Sequence, residues 1–381
     1  ELSQFLHFAN SHLTPPRGAE NYDRLYKVRS ILSAVLKNSQ EAYYPGKNLA
    51  VDEGMIAFKG RLEFRQYMPA KPTKYGIKVW MLADSSNGYV LNYDVYLGSD
   101  GKKRIHGLGY DAVASMVKPY MNKNHHVYFD NFFSSPILLE HFHMQQTYAC
   151  STVRCKRKGM PECAKKKLTQ AGELVQAQKG DLLFTKWHDK RDVAFLSSNV
   201  SPEEASRTVK RTVKGQQVEI VKPRVSDKYT ANMGGVDRAD QLRSFYYAGR
   251  QTRKWYKYLF WFAFNLATVN SFILEAIDKK KKRPQDEFRL DLGKRLIGEF
   301  SSRKRRVPVQ NADISPLSAH NVIKITENKR GKKECELCRE NGIKTPKGGK
   351  KETSYRCQQC GIALCKNPCF RDYHLRCDTP Q

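Results

Sequence analysis

Acidic residues are scarce. The 381-residue chain has 38 Asp and Glu against 67 Lys and Arg, a net charge of +29 at pH 7. That balance points to a polyanionic partner, nucleic acid first and an anionic membrane surface second. Cysteine is almost missing from the first 334 residues: seven of the ten lie after that point. The start, ELSQFLHFANSHLTPPRG, has no charged segment followed by an apolar run, so it does not read as a secretory signal. Clustered Cys pairs without such a signal read as metal ligands in a reducing compartment, not as a disulfide framework. The chain also lacks an initiator Met, which suggests a fragment or a shortened version. Long apolar runs are missing but for one, Leu259 to Ile277. Its length would permit a membrane span, but Asn265, Thr268, Asn270 and Ser271 interrupt it, so a buried core helix is expected and no membrane partner. There is no internal repeat.

Hydrophobic residues are 40% of the chain, enough for a sizeable core, and the length suits two or three domains. The positive charge is uneven. Residues 1–150 carry a net +4, 151–225 carry +9, 226–278 carry +2, 279–350 carry +12 and 351–381 carry +2. This is a nearly neutral core with polyanion-gripping segments attached.

Residues 1–45 read as helical, with Leu25, Val28, Ile31, Leu32 and Val35 at helical spacing. From 46 to 154 the pattern is a strand-rich meander, then helix, strand, helix, strand. The strands are expected at Asn48–Phe58, Leu62–Met68, Tyr75–Leu82, Tyr89–Leu97, Val127–Phe129 and Tyr148–Val153. The turn Asp84-Ser-Ser-Asn-Gly88 between the third and fourth is of hairpin type. Residues 155–225 read as a small basic β insertion separate from the main sheet. Helical pattern returns over 226–278, in Tyr229–Tyr247 and then the apolar run. A basic linker follows at 279–332, and a cysteine-rich domain at 333–381. The fold class is therefore α/β with a β-rich insertion and a C-terminal metal-binding domain.

Three acids stand in unusual settings. Asp52 lies inside a strand pattern, which disfavours Asp. Asp130 ends the buried strand Val127-Tyr128-Phe129, where open α/β sheets place their chemistry. Asp237 lies on a late helix opened by Gly234-Gly235, with Asp240 and Gln241 on the same face. A buried carboxylate needs a cation or strong donors. Hard Mg²⁺ or Mn²⁺ is a natural one, and paired ions of that kind serve phosphoryl displacement. The competing reading is three separate structural acids, paired with Lys59, Arg61 or Arg238, with Asp130 merely capping the next helix.

The C-terminus reads Cys335-x2-Cys338, Cys357-x2-Cys360, Cys365-x3-Cys369, His374-x2-Cys377. These eight donors suit two tetrahedral structural Zn²⁺ ions. Four pairs in series favour a cross-brace, with Cys335, Cys338, Cys365 and Cys369 on one ion and Cys357, Cys360, His374 and Cys377 on the other; a sequential pairing stays open. The basic runs KKKKR at 279–283 and RKRR at 303–306 read as a nuclear import signal or phosphate contacts, or as a solvated linker.

Several stretches together carry a resemblance: NLAVDEGMIAFKGR, FRQYMPAKPTKYGIKVWMLADSSNGYVLNYDVYLG, VYFDNFFSS, GGVDRADQ, RKWYKYLFWFAFNLATVNSF and the final cysteines. From about Asn21 to its end the chain resembles the piggyBac family of DNA transposases and the domesticated genes derived from them. The resemblance implies an RNase H-like catalytic core interrupted by an inserted domain, with the family's DDD positions at Asp52, Asp130 and Asp237. It implies supporting roles for Asp240 and for Trp255, which would lie near hairpinned DNA. The implied chemistry is cleavage of the element end, hairpin formation and opening, and joining of the 3′ ends to TTAA targets. The partner would be double-stranded DNA. Candidate phosphate contacts are Lys59, Arg61, Arg253 and Lys254, with Lys344 and Lys347 on a zinc domain that binds the terminal repeats. Longer members carry a helical dimerisation and DNA-binding region, to whose end residues 1–45 correspond. A homodimer of the full-length protein follows from the same resemblance, and a nuclear location is expected from the basic runs. The other expectation is a domesticated DNA- or chromatin-binding protein that does not transpose.

Overall fold

The computed structural model of the chain describes residues 5–69, 71, 73–99, 101, 103–204, 206–213, 216–298, 320–326 and 330–377. The chain divides into two compact units, residues 1–296 and 297–381.

In the first unit, helix α1 (Arg29–Ala42) precedes strands β1 (Asn48–Ala57), β2 (Gln66–Tyr67), β3 (Tyr75–Asp84) and β4 (Val90–Val95). Helix α2 (Leu108–Val117), strand β5 (His126–Phe129), helix α3 (Pro136–Met144) and strand β6 (Tyr148–Thr152) follow. Then come strands β7 (Leu174–Lys179), β8 (Leu182–His188), β9 (Asp192–Ser197), β10 (Arg207–Val213) and β11 (Gln216–Lys222). Helices α4 (Arg224–Asn232), α5 (Gly235–Phe245), α6 (Trp255–Asp278) and α7 (Gln285–Ile297) end the series.

Strands β1 to β9 form one sheet in the order β2-β3-β1-β5-β6-β9-β8-β7, with β4 also on the outer side of β3. The β1–β3–β4 part is antiparallel, while β5 and β6 add parallel to β1. That is the strand plan of the RNase H-like core. β3 is buried at every residue but the first, so it reads as a near-continuous apolar run. The turn after it is locked by Asp84, whose Oδ1 accepts from the Ser86 amide (2.8 Å) and hydroxyl (2.6 Å). Its Oδ2 accepts from the Tyr43 hydroxyl (3.0 Å) and the Gly46 amide (2.7 Å). One charged group thus fixes both the hairpin and the entry into β1.

The two sheet faces bury different residues. Leu49, Val51, Trp80, Leu82, Val127 and Phe129 pack under α2 and α3. Ile56, Ile77, Val79, Met81 and Ala83 pack under α5 and α6. The apolar helix is long and apolar enough to cross a membrane by length and composition, and here it packs as a core helix. Its polar residues are satisfied inside the protein: Asn270 accepts from the Val90 amide (3.0 Å) and donates to the Val90 carbonyl (2.9 Å) and the Ser39 hydroxyl (3.1 Å).

Three local expectations change. The β-rich insertion does not stand apart from the main sheet: β9 pairs antiparallel with β6, so β7–β9 extend it, and only the β10–β11 ribbon is a separate sheet. The apolar alternation of Phe184, Ala194 and Leu196, buried in the same cluster as Val127 and Phe129, is the physical reason. The strand expected at Leu62–Met68 shrinks to Gln66–Tyr67. The helical stretch Tyr229–Tyr247 belongs to two helices that part at Met233-Gly234.

The second unit is small. It holds β12 (Val322–Lys324), β13 (Lys333–Glu334), α8 (Glu336–Glu340), β14 (Glu352–Thr353), β15 (Tyr355–Cys357) and α9 (Cys369–Cys377). β12 pairs with β15 and β13 with β14. Its buried cluster is Leu337 and Leu364 among cysteines, too little apolar surface to fold so small a body without other support. The RKRR run at 303–306 lies outside the described residues.

Candidate active site and metal centres

β1 and β5 run side by side, and their last paired residues are Val51 and Phe129. One step further along each strand come Asp52 and Asp130, on the same face of the sheet as Ala50 and Tyr128. The sequence thus brings two carboxylates to the end of a parallel pair. Asp52 Oδ1 accepts from the Glu53 amide at 2.7 Å, and Asp130 Oδ1 accepts from the Phe132 amide at 2.9 Å. Each keeps a second oxygen beyond these turn-forming bonds. Burial pushes the Asp52 carboxyl up to about 7. The Lys71 charge and the Glu53 amide oppose that rise, and the charges of Glu53 and Asp130 add to it.

Asp237 arrives from α5. Close approach of this helix needs Gly235: a Cβ there would lie 3.0 Å from the Asp84 carbonyl oxygen and 3.1 Å from the Ala50 Cβ. One turn later the Asp240 carboxylate lies over Gly54, 3.7 Å from where a Cβ would be. α5 therefore runs along the face of β1 that carries residues 50, 52 and 54. Asp237 is exposed in its first turn, and Asp240 pairs with Arg243 at 2.5 Å. Arg238, a candidate partner for the acids, instead donates to the carbonyls of Ser85 and Ser86. The three carboxylates are adjacent in the fold but do not converge on a point. Among the described residues, the sets of three or more metal-ligating atoms within 4.8 Å of one another are two Cys/His groups.

Other residues at this site were not singled out from the sequence. Glu53, on the opposite face of β1, lies 3.8 Å from the Lys78 ammonium. Lys78 is buried, with its Nζ 3.9 Å from the Trp80 ring centre and 4.8 Å from that of Phe132. Burial lowers the Lys78 ammonium, and the charges of Glu53 and Asp130 raise it. Glu53 Oε2 is buried with no hydrogen-bond partner. Tyr229 of α4 faces Asp130 and Asp52, and burial pushes its hydroxyl up to about 12. Lys78 had a readable signal: a lysine inside the apolar strand GIKVWMLAD is as anomalous as Asp52 in β1.

Trp255 opens α6, half-buried and edge-on to Phe64 at 5.5 Å between ring centres. Lys59, Arg61, Arg253 and Lys254 are exposed, as are Lys344 and Lys347 in the second unit.

In that second unit Cys335, Cys338, Cys365 and Cys369 converge, with the Cys338 and Cys369 sulfurs 3.5 Å apart. The Cys365 amide donates to the Cys335 sulfur at 3.3 Å. The other group is His320, Cys357, Cys360 and His374. His320 Nδ1 lies 3.2 Å from the Cys360 sulfur and 3.4 Å from that of Cys357. His374 Nδ1 meets the Phe370 carbonyl at 2.7 Å, which turns Nε2 toward Cys360 at 3.6 Å. Both donor sets fit tetrahedral zinc in chemistry and number. Cys357, Cys360 and His374, three of the four donors expected for the second ion, thus converge, and His320 joins them. The Cys377 side chain lies outside the described residues. A histidine 37 residues ahead of Cys357 escapes any reading in adjacent pairs.

The core acids, α5 laid across their strand and the paired Cys/His centres define a DDE-type transposase architecture. Residues 1–272 match the model of the Transposase IS4 family, and residues 315–375 match the DDE_Tnp_1-like zinc finger. The human PiggyBac transposable element-derived protein 3 is 25% identical over 96% of this chain and 62% of its own length. The human PiggyBac transposable element-derived protein 5 is 24% identical over 76% of this chain and 57% of its own length. A cryo-EM structure of the piggyBac transposase synaptic complex with hairpin DNA superposes with a TM-score of 0.68 at 25% identity, covering 96% of this chain and 76% of that one. The chain belongs to the Transposase IS4 family and, within it, to the piggyBac transposases and their derived proteins. It spans less than two thirds of the length of these curated relatives.

Proposed function

We propose that the chain is a piggyBac-type DNA strand-transferring enzyme, with Asp52, Asp130 and Asp237 as its catalytic acids. One observation carries this reading: Asp52 and Asp130 lie at equal register on neighbouring parallel strands, on one face of the sheet. The donor set is all carboxylate oxygen, which suits Mg²⁺ or Mn²⁺. Asp52, Asp130 and Asp237 would hold such ions, which supply charge stabilisation at a phosphoryl centre.

The chain's own residues bind and orient the substrate. Double-stranded DNA is the partner, as transposon ends and TTAA target. Lys59, Arg61, Arg253 and Lys254 are exposed phosphate contacts near the acids' strand and near Trp255, and Lys344 and Lys347 serve the zinc domain in the same way. Asp240, held by Arg243, positions α5 against β1. Hairpin formation, a homodimer of the longer protein and nuclear import through the 279–283 run are parts of the same proposal. The test is cleavage of a nicked or hairpinned element end in Mg²⁺ or Mn²⁺, with Asp130→Ala as the control. Equal cleavage by that variant would remove the acids from catalysis.

A second reading has its own support. The three carboxylates do not converge, and Lys78 already places a cation beside Glu53. On that reading the chain is a domesticated DNA- or chromatin-binding protein. DNA binding that survives loss of all three acids, with no cleavage in any metal, would favour it.

A further inference from the structure

Beyond Gly54, at the end of β1 away from its entry, lies a cavity of about 1350 Å³. Residues Met55–Phe58 and the start of β3 form one wall, and the C-terminal part of α5 with α6 forms the other. Its size exceeds the roughly 300–1,000 Å³ of pockets for small organic ligands. Four cations line it: Lys59, Arg65, Lys74 and Arg243. The one acid there, Asp240, is already paired with Arg243. Arg65 spends its Nη1 donors on the carbonyls of Lys59 and Gly60, not on a carboxylate. Among the described ion pairs none involves Lys59, Arg65 or Lys74, so the cavity has a surplus of positive charge.

Aromatic rings stand at its rim. Tyr67 of β2 and Tyr75 of β3 are direct cross-strand partners. Their rings stack at 4.7 Å between centres and 30° between planes. Both remain exposed, Tyr67 at 57% and Tyr75 at 44%. The Arg65 guanidinium lies 5.4 Å from the centre of the Tyr75 ring. Across the cavity Tyr247 is also exposed, at 49%. Exposed, mutually stacked tyrosines give little to the fold and offer ring surface to a ligand. Positive charge combined with exposed aromatic rings is the chemistry of an unpaired nucleic-acid strand, because a base stacked in a duplex cannot lay its face on a side chain.

The cavity adjoins the candidate active site. Asp240 lines the cavity and also lies over Gly54, two residues along β1 from Asp52.

We propose that this groove holds a short unpaired segment of the DNA strand, with a base stacked on the Tyr67–Tyr75 pair and its phosphates on Lys59, Arg65 and Lys74. The proposal rests on DNA being the substrate. It adds which surface of the protein holds the unpaired nucleotides of that DNA.

The experiment compares the whole chain's affinity for a blunt duplex with that for the same duplex carrying a short single-stranded extension containing 2-aminopurine. The wild type should prefer the extended duplex and quench the probe. Tyr67→Ala alters an exposed side chain and should fold normally. With Tyr75→Ala added, the preference should fall about tenfold or more, since stacking is worth ~1–3 kcal/mol per base, and quenching should disappear. Tyr75→Phe should keep both. Blunt-duplex affinity should change little in any of them. A preference and quenching that persist in the double variant would overturn the groove assignment, as would equal wild-type affinity for both duplexes. Binding of neither duplex would instead overturn the DNA reading itself.

Discussion

Asp52 and Asp130 sit side by side on parallel strands, one residue past the Val51–Phe129 pair. Asp52 lies within β1, and Asp130 is the first residue after β5. Each is delivered by a strand whose register is fixed by buried neighbours, Leu49 and Val51 on one side and Val127 and Phe129 on the other. A slip of one residue would turn both carboxylates to the opposite face of the sheet.

Lys78 is the positive counterweight on that opposite face. Lys78→Met removes the ammonium from between Trp80 and Phe132 and leaves Glu53 buried without a partner. Breaking such a pair from one side costs about 3 kcal/mol or more. Denaturant unfolding should record that loss, and adding Glu53→Gln should recover part of it, giving a non-additive double-mutant cycle. Additive losses would mean the two side chains do not act as a pair.

α5 depends on Gly235 to reach β1. Gly235→Leu must push against the Asp84 carbonyl and Ala50, at ~3 Å from the first added carbon. The variant is expected to lose strand cleavage while keeping its affinity for DNA. Cleavage at the wild-type rate would show that α5 need not approach β1 this closely.

Acid should weaken the strand that ends in Asp130. Burial, with the charges of Lys47, Lys228 and His125, lowers the His126 imidazole to about 4. An unfolded histidine titrates near 6.5, so the folded state disfavours the proton. The stability from a neutral ring is complete above pH ~6.5 and is lost as pH falls toward 4. Protonating Nδ1 would also break its contact with the Asn199 amide at 3.2 Å. Melting temperatures measured from pH 7 to pH 4.5 should fall, and His126→Asn should flatten the fall. An unchanged slope in that variant would assign the acid sensitivity to other groups.

Much of this was readable before the fold was known, and the exceptions have physical causes. Strands β1, β3, β4, β5 and β6 carry apolar alternation or continuous apolar runs, and they appear within a few residues of their expected limits. Asp52 and Asp130 could be singled out because each interrupts such a run. Lys78 interrupts one too, but a lysine's long stem blends with apolar neighbours. β7 was missed because its sequence, Leu-Val-Gln-Ala-Gln-Lys, is half polar and no residue of it is fully buried; it is a sheet edge that pairs on one side only. The position of α5 over Asp52 depends on contacts between residues some 185 positions apart (Ala50 with Gly235), which no local pattern encodes. His320 was missed for a related reason: its partners begin 37 residues later.

That histidine can be tested by metal content. His320→Ala should lose one of the two zinc ions measured in the purified chain, and Cys377→Ala should keep both. The reverse result would return the fourth position to Cys377.

The most direct measurement is Mn²⁺ binding by the whole chain, followed by electron paramagnetic resonance, for the wild type and for Asp52→Asn, Asp130→Asn and Asp237→Asn. The acids are proposed as one ion-holding set, so each single variant should weaken binding about tenfold or more. Asp237→Asn is the decisive member, because its carboxylate is exposed and stands off from the other two. Weakening in all three variants is the result this account predicts. Wild-type Mn²⁺ affinity in Asp237→Asn, or no bound Mn²⁺ in the wild type, would contradict it.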